Sequence, residues 1–136
     1  MAQIPRGIRN NNPLNLIISN NEWLGKVTEN TDGHFEQFIS IVYGIRAAIM
    51  NARTIIRRNK PCSVWVLVKI WAPPNENNTA SYIITVCKKV KCNPADVINP
   101  NDKSLLLRVL WAMAYVENGQ EIPFILFENA WQLIKP

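Results

Sequence analysis

The hydrophobic pattern changes period at Tyr43, and that change divides the chain in two. From Tyr43 onward apolar residues recur at helical spacing. Ile45, Ile49, Ala52 and Ile56 stack on one face, with Arg46, Arg53 and Arg57 forming a stripe beside them. Before Tyr43 the apolar residues come in short bursts, Leu14 to Ile18, Trp23 to Val27, then Phe35 and Phe38, with Asn20-Asn21 and Asp32-Gly33 as turn formers between them. This pattern predicts a small, irregular β-hairpin lobe over residues 1–40 and a helical lobe over 41–136, an α+β class within a single domain. The 136 residues, 48% of them hydrophobic, suffice to fill one core. No internal repeat at solenoid spacing is present.

About five helices are expected after the lobe. The first ends near Asn59, before Pro61. The segment Ser63 to Trp71 is rich in β-branched residues, but Val64, Leu67, Val68 and Trp71 match helical spacing, so it reads as a helix stopped by Trp71-Ala72-Pro73-Pro74. A third helix starts with Asn78 or Thr79 as its cap, buries Tyr82, Ile83, Val86, Cys87 and Val90, and ends in the cluster Lys88, Lys89, Lys91. Asn101 or Asp102 caps a fourth, which runs to Glu117 and stops at Asn118-Gly119. A short fifth helix covers about Phe124 to Ile134. Seventeen asparagines and nine prolines supply the caps and turns that such a chain needs.

A net charge of +5 favours an anionic partner, whether nucleic acid, an acidic wall polymer or a membrane surface. The longest apolar runs, Val64 to Val68 and Pro123 to Phe127, are too short to span a membrane, and the stretch Met1 to Gly7 has no apolar signal core. The expectation is a soluble protein without a signal peptide, kept in the cytoplasm unless something else carries it out. Cys62, Cys87 and Cys92 are odd in number and read as buried reduced thiols, with one disulfide as the alternative. Their spacing with His34 fits no zinc knuckle, so neither a metal nor a cofactor is expected. His34, in the turn-like stretch Thr31 to His34, reads as an exposed loop residue.

One residue conflicts with its position. At about 100° per residue, Leu106, Leu110, Met113 and Glu117 fall within roughly 60° of arc on the fourth helix. A carboxyl therefore lies in the apolar stripe. An unpaired buried carboxylate costs several kcal/mol, so the group must be neutralised, paired or placed at the edge of a cleft. A partly desolvated glutamic acid is what general-acid cleavage of a glycosidic bond requires. Alternatively, Glu117 swings out to solvent from the last turn or pairs with Arg46 or Arg53.

Several blocks together resemble the small, lysozyme-like, muralytic virion proteins of phages. They are Arg6-Gly7-Ile8-Arg9-Asn10-Asn11-Asn12-Pro13-Leu14-Asn15-Leu16, Trp23-Leu24-Gly25, Phe35-Glu36-Gln37-Phe38, Tyr43-Gly44-Ile45-Arg46-Ala47, the run from Trp71-Ala72-Pro73-Pro74 to Ile83, and Glu117-Asn118-Gly119. A more distant similarity runs to glucosaminidase-type peptidoglycan hydrolases, in which a helix ending in a catalytic glutamate precedes the other motifs. Here that helix follows them, as in a circular permutation. The resemblance implies a lysozyme-like fold, cleavage of the peptidoglycan glycan strand as muramidase, glucosaminidase or lytic transglycosylase, and Glu117 as the counterpart of the catalytic acid. It also implies a phage virion, or the host cytoplasm before release, as the location.

A two-carboxylate hydrolase needs a second acid across the sugar. Glu29 sits about where the glucosaminidases carry theirs, with Asp32, Glu22 and Glu36 as further candidates; a solvated hairpin residue is the other reading of Glu29. If none is in range, a transglycosylase route needs only one glutamate, as acid and then as base. Asn11, Asn12 and Asn15 are candidate ligands for an N-acetyl group or peptide stem, or else tie a loop together. Trp23 and Tyr82 are candidates for stacking on sugar rings, with Trp71 equally suited to the core. Arg6 and Arg9 either pair with acids near the cleft or hold an anionic stem. Peptidoglycan is thus the expected partner, with other virion proteins as further ones and no membrane. The alternative function is a non-catalytic phage structural protein that binds wall or virion partners. A nucleic-acid module, suggested by Arg46, Arg53, Arg57, Arg58 and Lys60, ranks last because no reading-helix motif accompanies the charge.

Overall fold

A computed structural model describes residues 3–134. It contains six helices: α1 (Arg6–Arg9), α2 (Ile41–Arg58), α3 (Val64–Trp71), α4 (Thr79–Val90), α5 (Lys103–Asn118) and α6 (Phe124–Gln132). The five longer ones lie where the apolar period places them, the ambiguous Val64–Trp71 segment included. Three of them, α3, α4 and α5, start at side-chain caps. Ser63 Oγ accepts from the Val66 amide at 3.2 Å, Asn78 Oδ1 from Ser81 at 3.1 Å, and Asp102 Oδ1 from Leu105 at 3.2 Å. Gly119, at φ 71°, stops α5 in the left-handed conformation.

α5 lies at the centre of the helical part, packed against α1, α2, α4 and α6. It is apolar on most of its circumference, burying Leu106, Leu107, Val109, Leu110, Ala112, Met113 and Ala114, as a helix enclosed by others must be. Leu110, Met113 and Phe127 are fully enclosed, each contributing about 1.5–3 kcal/mol through removal from water.

The expected β-hairpin lobe is not there, so the fold is helical rather than α+β. Among the described residues only isolated antiparallel bridges occur, Ile17 to Phe35, Lys26 to Phe38 and Ser63 to Val97. The apolar bursts do meet their partners, and backbone bonds such as that from the Ile18 amide to the His34 carbonyl form at the bridges, but other backbone groups that a ladder would pair are taken by side chains. Asn12 Nδ2 donates to the carbonyls of Leu16 and Glu36 at 3.0 and 2.9 Å, and its Oδ1 accepts from the Leu16 amide. Asn30 Nδ2 donates to the Phe35 carbonyl, and Asp32 Oδ2 accepts from the amides of His34 and Phe35. Left-handed residues at Asn11, Asn15, Gly25 and Gly33 bend the segment before strands can extend.

This N-terminal segment meets the helices through a small cluster of Leu16, Phe38 and Ala47, with Trp23, Tyr43 and Trp71 against it. It also comes close at Gly44 in the first turn of α2. A Cβ there would stand 1.8 Å from the Asn11 carbonyl oxygen. Only glycine permits that contact.

Candidate functional site

Glu117 lies in the last turn of α5, where that helix, α4 and the N-terminal segment converge. Both carboxylate oxygens are engaged. Asn15 Nδ2 donates to Oε1 at 2.8 Å, and the Tyr82 hydroxyl donates to Oε2 at 2.8 Å. Neither Arg46 nor Arg53 supplies a hydrogen bond; Arg53 donates instead to Asn101 and lies over the Trp131 ring.

The two donors are held by different means. Tyr82 is carried inward on the buried face of α4, with 5% of its surface exposed. Burial first, and then the adjacent Glu117 carboxylate, push its phenol well above the usual tyrosine value, so it remains protonated and donating. Asn15 adopts the left-handed conformation at φ 54°, which asparagine tolerates better than most residues, and its amide is fixed by the Asn12 carbonyl at 3.0 Å. The turn is pinned from both sides: Trp71 Nε1 donates to the Leu14 carbonyl at 3.0 Å, and Asn118 Nδ2 to the Pro13 carbonyl at 2.8 Å.

Glu117 and Asn15 face a cleft of about 170 Å³ whose wall also includes His34, Trp71, Glu76 and Asn77. A second concavity of about 330 Å³ adjoins it, sharing Asn15, Ile17 and Trp71 and adding Trp23, Asn21 and Asn51. The pair presents amides and indoles to a ligand, with carboxylates in the smaller part only. The indole rings offer flat apolar faces and the amides hydrogen-bonding edges along the same wall.

The expected site residues are distributed unevenly. Asn15, Tyr82 and Glu117 come together, and Trp23 lies in the adjoining concavity. Asn12 is fully enclosed within the N-terminal segment, and Asn11 donates to the Phe38 carbonyl. Glu29 is exposed and lies outside the lining of both concavities. Among the other carboxylates, Asp32 forms a two-pronged pair with Arg6 at 2.8 Å and accepts from Asn10, which together with the Phe35 amide hold it below the usual carboxylate range. Glu36 is buried against Lys26 at 3.1 Å, and Glu22 is exposed.

Glu76 was not singled out by sequence reasoning. Its loop position gave no periodic signal, although it falls within the Trp71 to Ile83 block that carried the resemblance. His34 is exposed, as its turn suggested, and it too lines the cleft. Among the described residues, no group of three or more His, Cys, Asp and Glu side chains is disposed to hold a metal ion, and no helix is long and apolar enough to cross a membrane.

No family model matches the chain. It is similar to Protein P5 of Pseudoalteromonas phage PM2, with 34% identity over 117 residues that cover 84% of this chain and 71% of that protein.

Proposed function

From the premise that the chain belongs to the family of Protein P5 of Pseudoalteromonas phage PM2, we propose that it serves in a phage particle and cuts the glycan strand of bacterial peptidoglycan in the Glu117 cleft. The observation that carries this reading is the oriented carboxylate of Glu117, held by Asn15 and Tyr82 on the wall of a cleft lined with indole and amide groups. Glu117 first takes up a proton, one oxygen giving up its internal hydrogen bond, and then donates that proton to the leaving glycosidic oxygen. Trp71 and Trp23 stack on successive rings, and Asn15 and Asn77 orient polar substituents.

With Glu29 outside the cleft, two routes complete the reaction. Glu76 activates a water, giving a reducing end; or Glu117 returns as base while the muramyl 6-hydroxyl attacks, giving an anhydro end. The 1–136 chain works as one unit, since the N-terminal segment supplies Asn15 and the helices supply Tyr82 and Glu117.

Purified sacculi treated with wild type and with Glu117→Gln test this directly. Soluble muropeptides released by the wild type alone support it, and mass analysis of their ends assigns the route. Equal release by both proteins removes Glu117 from the chemistry.

The second reading is a phage structural protein that binds wall or virion partners without cutting. The phage origin of the relative supports it without requiring chemistry, and so does the engagement of both Glu117 oxygens within the protein. Sedimentation with sacculi that leaves the glycan intact is its expected result; failure to bind either sacculi or particle proteins contradicts it.

A further inference from the structure

Helix α4 ends in a left-handed turn whose two closing side chains are both cysteines. Lys91 takes the αL conformation at φ 61°, and the amide of Cys92 donates to the Cys87 carbonyl at 3.1 Å. This six-to-one bond is that of a Schellman turn, in which the side chains on either side of the cap are brought into contact. An apolar pair normally occupies those places. Here the contact is between thiols, with the Cys92 Sγ donating to Cys87 Sγ at 3.7 Å.

We propose that Cys87 and Cys92 are a modification site, closing into a reversible disulfide that staples the C-terminal turn of α4 when the protein meets a low-molecular-weight disulfide. The two sulfurs already touch, and the backbone between them is fixed by the cap. The roles differ with exposure. Cys92 is half-buried and within reach of solvent, whereas Cys87 is buried and its thiol is pushed up to about 12 by burial and by Cys92 beside it.

Cys92 is therefore the entry point. Its thiolate attacks one sulfur of oxidised glutathione, forming a mixed disulfide and expelling one glutathione thiolate. Once Cys92 is capped, it carries no negative charge to oppose ionisation of Cys87. Cys87 loses its proton to solvent, attacks Cys92 Sγ and expels the second glutathione. Two protein thiols are oxidised, and one glutathione disulfide is reduced to two thiols. Cys62 is buried, with its Sγ donating to the Ser63 carbonyl and not to either thiol of the turn, and takes no part. Because α4 also carries Tyr82, the staple reinforces the helix that orients Glu117.

The test uses the whole folded chain. It is incubated with excess oxidised glutathione at neutral pH, quenched in acid, denatured, alkylated and mapped by mass spectrometry. The expected map shows alkylation at Cys62 alone and a Cys87–Cys92 link within one chain. Tm should rise on oxidation, dithiothreitol should reverse both changes, and the Cys92→Ser variant should show no oxidant-dependent rise. Alkylation at all three cysteines overturns the proposal, as do glutathione retained on Cys92, a link through Cys62 or between chains, or an equal rise of Tm in Cys92→Ser.

Discussion

The N-terminal segment and the helical part are held together by different physics. In the helices, stability comes from apolar side chains fully removed from water around α5, with caps setting the ends. In the segment of residues 3–40, much of the order comes from side-chain amides and carboxylates that bind backbone groups, above all Asn12, Asn30 and Asp32. Hydrophobic burial is directionless and tolerates exchange of one shape for a similar one, whereas a buried amide with three hydrogen bonds tolerates almost none. The site lies on the seam: Asn15 comes from the polar framework, Tyr82 and Glu117 from the apolar one. Its geometry depends on both.

The largest expected effect comes from forcing the two regions apart. Gly44→Ala would press a methyl group into the Asn11 carbonyl, and the cost should exceed about 3 kcal/mol, read in urea unfolding as a lowered midpoint. Loss of less than about 1 kcal/mol would mean that the segment moves freely against α2.

Next comes a paired exchange that preserves size. Asn12→Leu should cost about 3 kcal/mol, because it strands the buried Leu16 amide and Glu36 carbonyl, while Leu110→Met in the apolar core should cost under about 1.5 kcal/mol. Equal costs in the two variants would erase the distinction between the regions.

The smallest effect is at Asp32. Its folded pKa lies below the unfolded one, so its contribution is complete above about pH 4 and is lost as pH falls from there toward the depressed value. Asp32→Asn should therefore flatten the acid limb of the stability profile between pH 4 and pH 2 and leave the alkaline limb unchanged. An unaltered acid limb would show that Arg6 and Phe35 do not hold the carboxylate in solution.

The sequence was most legible in α2 to α6, where apolar periodicity runs long enough to register and, at α3, α4 and α5, a capping side chain marks the start. Helix α1 has only Arg6 to Arg9, too short for any period to register. The N-terminal segment misled because bursts such as Leu14 to Ile18 carry strand composition, and only the placement of Asn12 and Asp32 shows that a ladder cannot propagate. At the site, the apolar stripe drew notice to Glu117, which the structure places half-buried and hydrogen-bonded through both oxygens. Its partners were hidden because Asn15 stands 102 residues away and Tyr82 35 residues away, pairings that no local pattern encodes. Glu76 and Asn77 reach the cleft through loop geometry alone.

The most direct test is the rate of soluble muropeptide release from purified sacculi by the wild type and by Glu117→Gln, with folding matched by circular dichroism. Glutamine keeps nearly the same shape and can still accept from Tyr82 or Asn15, so binding to sacculi should survive while release falls by about 100-fold or more. Release at the same rate from both proteins, or from neither, would contradict Glu117 as the proton donor.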